Sequence, residues 1–261
     1  MLRTLIPGFE YSRVFRPLRS VYLRTFKPAY SRQHQAYMRK LRKFYQPFVP
    51  AGSLVFDIGA NIGEYSEAFL DLGAQVIAVE PNPDLVRKLF LIRNRRLTVV
   101  QCAAGDQEGK LPLHINSNVH TLGSLSDEWI NTALRVNLFP PEMGTWDHIV
   151  TVPVQTLDSL IERYGMPHFI KIDVEGFELP TLRGLTKMPQ FLSFEFNRIW
   201  TAPTFECLKQ PCFPKDAKFN YVIENRCQLA LPQWVSAAEM SRVVSAATSE
   251  PFEYADILVR R

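Results

Sequence analysis

The chain has 261 residues, 46 % of them hydrophobic and 21 % charged, an ordinary globular composition that suits one large domain or one domain with an extension. No apolar run reaches the eighteen or so residues of a membrane-spanning helix, and the opening MLRTLIPGFEYSRVF lacks the apolar core of a secretory signal. The net charge of +4 is uneven: through Tyr45 the chain carries eleven Lys and Arg against one acid, Glu10, so a segment of +10 precedes a remainder of −6.

That basic, Phe- and Tyr-rich start reads as a helical extension over residues 1–50, with its aromatics packed on the following domain and its charges solvated. Contact with an anionic surface (membrane, nucleic acid or acidic glycan) is the alternative, and an Arg-rich transit peptide a lesser one. From residue 51 to 261 strands and helices alternate. LVFDI is a short buried strand. Ile62, Tyr65, Phe69 and Leu72 make a helical stripe, with Gly73 placed to end it. QVIAVE is a strand, and NPDLVRKLFLIRN a helix capped by Asn82 with Pro83 in its first turn. LTVVQC is a third strand. Strands separated by helices of this length predict βαβ units and a parallel sheet.

Residues from about 107 to 150 are less regular, with KLPLHI and HIVTVPV as strands around a polar loop. TLDSLIERYG is a helix leading into the strand of HFIKIDVEG; FELPTLRGL is a helix and FLSFEF a strand. Residues 197–218 read as an irregular insertion. NYVIE and ADILVR are late strands, separated by a helix that Ser236 and Glu239 cap reciprocally.

Three signals stand at successive strand ends, the edge at which open α/β sheets bind ligands. The first is D-x-G-x-N-x-G, from Asp57 through Gly59 and Asn61 to Gly63. Glycine lets the backbone turn and a ligand approach, and the helix start offers free N–H groups. A dinucleotide turn favours tighter G-x-G-x-x-G spacing without an acid at the strand end. Asp57 there would oppose a pyrophosphate and welcome an ammonium, as in the methionine part of S-adenosylmethionine; a nicotinamide oxidoreductase is disfavoured for the same reason. The second is Glu80, placed to accept from two ribose hydroxyls. The third is Asp106, in CAAGD, placed to accept from an adenine amino group.

VFDIGANIGEYS, VEPNP, CAAGD, TLDSLI and FIKIDVEGFELPTLRG together resemble the FkbM-type methyltransferases over about residues 53–196. The resemblance implies an α/β, Rossmann-like methyltransferase sheet of seven strands, mostly parallel with the last antiparallel, and helices on both faces. It implies S-adenosyl-L-methionine as cofactor and O-methylation of a sugar, glycan or natural-product hydroxyl. The basic arm and the 197–218 insertion lie outside the shared pattern.

Methyl transfer to an alcohol needs alignment, exclusion of water and a base near the hydroxyl proton. Asp173 and Glu175, in IDVEG, stand at the mouth of the fourth main strand. Asp173 can face the methionine ammonium or the acceptor hydroxyl, and Glu175 can act as base or orient the acceptor; a purely helix-capping role for both is the alternative. Glu195 ends the fifth strand on the same edge. His114 and His120 flank a loop that can form a lid. A divalent metal on Asp173, Glu175 and a third acid is conceivable, but no spacing demands it. Cys102, Cys207, Cys212 and Cys227 form no CxxC pair or familiar zinc spacing and read as buried thiols of a reducing, cytoplasmic protein, which the basic arm can bring to a membrane surface. Trp129, Trp146, Phe196 and Trp200 suit stacking on a sugar face. Two rival functions remain: an RNA methyltransferase that uses the basic arm, although Asp-Val-Glu-Gly is not the Asn/Asp-Pro-Pro-aromatic of amino-group base methylases, and a cofactor-binding module without turnover.

Overall fold

The computed structural model describes residues 28–116, 122–140, 145–247, 249 and 252–261. Its strands are β1 Leu54–Ile58, β2 Gln75–Val79, β3 Leu97–Val100, β4 Ala103–Ala104, β5 Gly109–Ile115, β6 Gly123–Ser124, β7 His148–Gln155, β8 Phe169–Ile172, β9 Phe191–Asn197, β10 Lys218–Ile223 and β11 Tyr254–Arg260. The α-helices are α1 Pro28–Tyr45, α2 Glu64–Asp71, α3 Pro83–Leu89, α4 Asp127–Arg135, α5 Leu157–Tyr164, α6 Glu178–Arg183, α7 Thr201–Cys207 and α8 Ala237–Ala247. No helix among the described residues is long and apolar enough to cross a membrane.

Seven strands form the main sheet in the order β10-β11-β9-β8-β1-β2-β3. The pairs β1–β2, β1–β8, β2–β3 and β8–β9 are parallel, and β11 runs antiparallel to both β9 and β10. The chain winds one way from β1 to β3 and then crosses to β8 on the other side of β1. That reversal opens a crevice beyond the C-terminal ends of β1, β2 and β8, where open parallel sheets bind ligands.

Strand alternation sends successive residues to two cores. Phe56 and Ile58 of β1, Ile170 and Ile172 of β8 and Phe194 of β9 pack with Leu157, Leu182, Met240 and Val244 from α5, α6 and α8. Val55, Val76, Phe169 and Leu258 face the other way, onto Met38, Leu41 and Tyr45 of α1 and Phe69 of α2. Tyr45 is fully buried, its ring 5.2 Å from Phe69 and 5.5 Å from Phe169, so the basic segment is held by its aromatic stripe at least from α1 onward. The segment's first 27 residues lie outside the described residues.

The described parts of two stretches expected to be irregular contain regular elements. Residues 107–150 contribute to a second, four-stranded sheet, β4-β7-β5-β6, and carry α4. Only Gln101 and Cys102 separate β3 from β4, so the chain steps between sheets at the crevice. The small sheet has its own apolar face, Leu113, Ile115, Val152 and Val154. Within residues 197–218 the chain forms α7, whose Pro203 falls in the first turn, where a missing N–H costs nothing, while Thr204 and Cys207 are buried. Local caps follow the sequence: the Asp84 N–H donates to Asn82 Oδ1 at 3.0 Å, and the Ser236 N–H donates to Glu239 Oε2 at 2.8 Å.

Candidate active site

The turn after β1 is tied to both neighbouring strands. The N–H groups of Gly59 and Ala60 both donate to the Val79 carbonyl, at 2.9 and 3.0 Å, and the Asp173 N–H donates to the Ile58 carbonyl at 3.0 Å. Gly59 has φ +79°, and a Cβ there would lie 1.7 Å from the Asp173 carbonyl oxygen. No other residue allows the β1 and β8 turns to approach so closely. Asn61 follows with φ 53°.

Glu80, 5 % exposed at the end of β2, clamps two backbone segments. Its Oε2 accepts from the Asn61 N–H at 2.9 Å and its Oε1 from the Asn82 N–H at 2.8 Å. Burial pushes its carboxyl up to about 7, against the pull of those two donors. A carboxylate has about four lone-pair sites, so each oxygen retains one for a ligand.

These turns border a cleft of about 640 Å³, open mouth included. Its polar wall holds Gly59, Asn61, Glu80, Asp173 and Glu175; Val79, Leu85 and Cys102 to Ala104 supply apolar surface. The fourth side comes from the small sheet, through Leu113 and Gly123, and from Leu125.

A buried polar row runs beneath the cleft. Strand register sets Asp57 beside Lys171 and Lys171 beside Ser193. Lys171 is 1 % exposed; its Nζ lies 2.6 Å from Asp173 Oδ2 and 4.1 Å from the Tyr65 ring centroid. Burial works against its charge, but Asp173, Asp256 and Asp57 outweigh it and hold the ammonium above its ordinary value. The Asp57 carboxyl is raised by burial, with Lys171 and Ser66 pulling it down; Ser66 Oγ donates to its Oδ2 at 2.6 Å. Burial also raises Asp256, to about 6, against Lys171.

Beyond Asp173 the chain doubles back in a turn held by Glu178, whose Oε1 accepts from the N–H groups of Val174 (3.1 Å) and Gly176 (3.3 Å). Glu175 takes φ 52°, and Gly176, at φ 89°, has no room for a Cβ, which would lie 2.5 Å from the Trp129 side chain. On the far side of this turn is a second, shallower pocket, about 310 Å³ with its open mouth included and with room for about one water molecule, lined by Glu178, Glu195, Trp129, Trp200, Asn197 and their neighbours. The two tryptophan rings are 6.4 Å apart, and Trp200 Nε1 is buried with no hydrogen-bond partner. Burial, then Asp173 and Glu178, pushes Glu175 up to about 8; Glu195 is raised well above the carboxylate range by burial and then by Asp173, Glu175 and Glu178.

Gly59, Asn61, Glu80, Asp173 and Glu175 thus converge on the cleft, and Glu195 on the cavity beside it. Asp57 does not reach the lining: strand parity turns it toward α2, and the acid exposed to the cleft beside Gly59 is Asp173. Gly63 caps α2 behind the turn, against Leu89 and Ile92. Asp106 is exposed and outside the lining, whose nearest residues are Cys102, Ala103 and Ala104. His114 Nε2 lies 3.0 Å from Asp127 Oδ1, away from both cavities, and His120 lies outside the described residues. Trp129, Phe196 and Trp200 line the second cavity, whereas Trp146 packs near Phe139. All four cysteines are free thiols, with Cys227 only half-buried. Among the described residues no group of three or more His, Cys, Asp or Glu is arranged to hold a metal ion. Lys171, Glu178 and Asp256 were missed by sequence reasoning. Lys171 had a usable signal, since a lysine inside the buried strand Phe-Ile-Lys-Ile requires an acidic partner.

The seven-stranded sheet with its reversed β11 and the crevice at the chain's crossover give the α/β methyltransferase fold. Residues 57–219, more than half of the chain, match the methyltransferase FkbM domain, and the chain belongs to that family. The hexuronic acid methyltransferase AglP of Haloferax volcanii is 28 % identical over 143 residues, 54 % of this chain and 53 % of that protein. The chain therefore spans about half the length of this curated relative. Solved structures with a similar course include a SAM-dependent methyltransferase from Archaeoglobus fulgidus (15 % identity, TM-score 0.42, 87 % of this chain and 94 % of that one) and a TehB-like SAM-dependent methyltransferase from Corynebacterium glutamicum (10 %, 0.43, 90 % and 99 %).

Proposed function

We propose that the protein binds S-adenosylmethionine in the larger cleft and methylates a hydroxyl of a sugar, glycan or natural product. The observation that carries this reading is the convergence of Gly59, Glu80 and Asp173 on one cleft that backs onto an acid-lined second cavity. The residues fit the cofactor. Glu80 keeps two lone pairs for ribose hydroxyls, the bare Cα of Gly59 leaves room for close approach, Asp173 offers a carboxylate to an ammonium, and Cys102 to Ala104 with Leu85 suit an adenine ring. When bound, the cofactor supplies an electrophilic methyl group on positively charged sulfur.

The chain's own residues then orient the acceptor and take up its proton. Glu175 lines the cleft, and the next residue, Gly176, lines the second cavity, which supports a role for Glu175 as the base. Raised to about 8, it suits proton uptake near neutral pH, when a base of matched affinity works best. Glu195 orients the acceptor. Lys171 holds the Asp173 carboxylate in place, and the small sheet walls one side of the cleft. The hexuronic acid named for the Haloferax relative supports a sugar acceptor.

The test is methyl-labelled S-adenosylmethionine offered with glycosides, polyketide alcohols and RNA as acceptors. Label in a hydroxyl acceptor is expected. Label in RNA alone would favour the nucleic-acid reading, and tight binding of S-adenosylhomocysteine without turnover of any acceptor would favour an inactive binding module.

A further inference from the structure

We propose that the outward face of α1 docks on a membrane surface rich in anionic lipid. No α1 residue lines either cavity, so this surface is independent of the acceptor. Helix α1 carries five Lys and Arg and no Asp or Glu in its 18 residues. Its inward side is fixed: Met38, Leu41 and Tyr45 are buried, with Tyr37 and Phe44 packed beside them. At 3.6 residues per turn, Arg32, Arg39 and Lys43 fall within about 40° of one another, on the side opposite Leu41 and Tyr45. All three are exposed, as is Lys40 at the edge of this row. Arg42 turns aside to Asp71, its Nη1 2.9 Å from Oδ2. The residue before Asp71, Leu70, accepts through its carbonyl from Arg96 Nη2 at 2.9 Å, and Arg93 and Arg95, just before Arg96, are exposed. The loop before β3 thus continues the row of cations past the end of α2.

The charge is segregated. Residues 46–261 sum to −6, so these cations form a positive face on an acidic body. Solubility alone needs no such division, whereas attraction to a polyanion does. A row along one helix, opposite its core contacts, can meet a plane with all its charges at once. The aromatics of α1 pack inward, and none of the exposed large apolar side chains among the described residues lies on this helix. The face therefore lacks the aromatic platform on which proteins stack single-stranded nucleic acid. Residues 1–27, outside the described residues, lead directly into α1. They add six Lys and Arg against one acid, Glu10, and intersperse them with Leu2, Leu5, Ile6, Phe9, Phe15 and Leu18. Apolar side chains for the acyl boundary and cations for the headgroup phosphates are the two signals that together hold a chain at an anionic bilayer.

The test is flotation of the full chain with vesicles of phosphatidylcholine alone and with about 30 % phosphatidylserine added, at low and at high salt. Binding to the mixed vesicles about tenfold or more above phosphatidylcholine alone is expected, and its loss at high salt. The double variant Arg39→Gln with Lys43→Gln should weaken that binding by about tenfold or more, at about fivefold for each cation near the surface, with Tm unchanged. Lys187→Gln with Lys215→Gln removes the same charge beside Met188 and Ala217, which pack in the core on the other face of the sheet, and should bind as wild type does. Equal binding to both vesicles, or none to either, overturns the proposal. So does wild-type binding by the Arg39 and Lys43 double variant, or an equal loss in both double variants, which would leave net charge as the whole effect. Capture of an RNA oligonucleotide with no binding to the mixed vesicles overturns the lipid assignment.

Discussion

The two cavities are separated by one turn, Asp173 to Glu178, yet they are built in opposite ways. The larger cleft is made by backbone: Gly59 sits where a Cβ would strike the neighbouring turn, and Glu80 holds two main-chain N–H groups while exposing its remaining lone pairs. The smaller cavity is made by side chains drawn from α4, the β8–α6 turn, β9 and α7. Backbone-built sites tolerate little change and suit a ligand common to a whole family. Side-chain-built sites can change residue by residue and suit a ligand that differs between members.

Substitutions can break that contrast. The largest effect is expected from Gly59→Ala. The left-handed backbone alone costs an alanine about 1–2 kcal/mol, and the clash with the Asp173 carbonyl adds to it, so Tm and S-adenosylhomocysteine binding should both fall. Normal binding in this variant would mean the turn is not held as described. Away from both cavities, Tyr45→Ala should destabilise the fold by about 3–5 kcal/mol in chemical denaturation. An unchanged midpoint would show that α1 is dispensable. Glu80→Gln places an amide NH₂ against a backbone N–H and removes a charged acceptor; calorimetry should show about 1.5–3 kcal/mol weaker S-adenosylhomocysteine binding.

Trp200→Ala should raise acceptor KM by about tenfold through lost apolar contact while cofactor affinity stays constant. Equal losses for both ligands would dissolve the division between the cavities. The smallest effect concerns pH. Glu178 is raised from 4.5 to about 7 by burial, so the fold binds its proton more tightly than the unfolded chain does. Its contribution to stability is full below pH 4.5 and is lost as pH rises through about 7; Glu80 and Glu175 act in the same direction. Glu178→Gln keeps an oxygen for the Val174 and Gly176 N–H groups and removes one titration. Denaturation midpoints from pH 5 to 8 should therefore fall less steeply than in wild type, and an unchanged slope would contradict the assignment.

The same contrast explains what could be read in advance. Strand periodicity, Asn82, Gly73 and the capping pair Ser236 and Glu239 specify local geometry, and the parallel sheet follows from their spacing. Gly59, Asn61 and Glu80 were legible because a turn at a strand end has few chemical solutions. Asp57 was a harder case, because its strand end is visible in sequence but the face it points to depends on Lys171 and Ser66, which lie 114 residues downstream and nine residues downstream respectively. The small sheet was hidden because β4 and β6 are two residues each and take their partners from β7 and β5. The second cavity was only partly visible, as aromatics and acids with no common spacing, since four separate segments supply its walls.

The most direct test of the central claim is calorimetric titration of the wild-type chain with S-adenosylhomocysteine and, separately, with NADH. One equivalent of S-adenosylhomocysteine binding, with no heat from NADH, is the result this structure predicts. NADH binding in its place, or no binding of S-adenosylhomocysteine, would contradict the assignment of the larger cleft as a methyl-donor site.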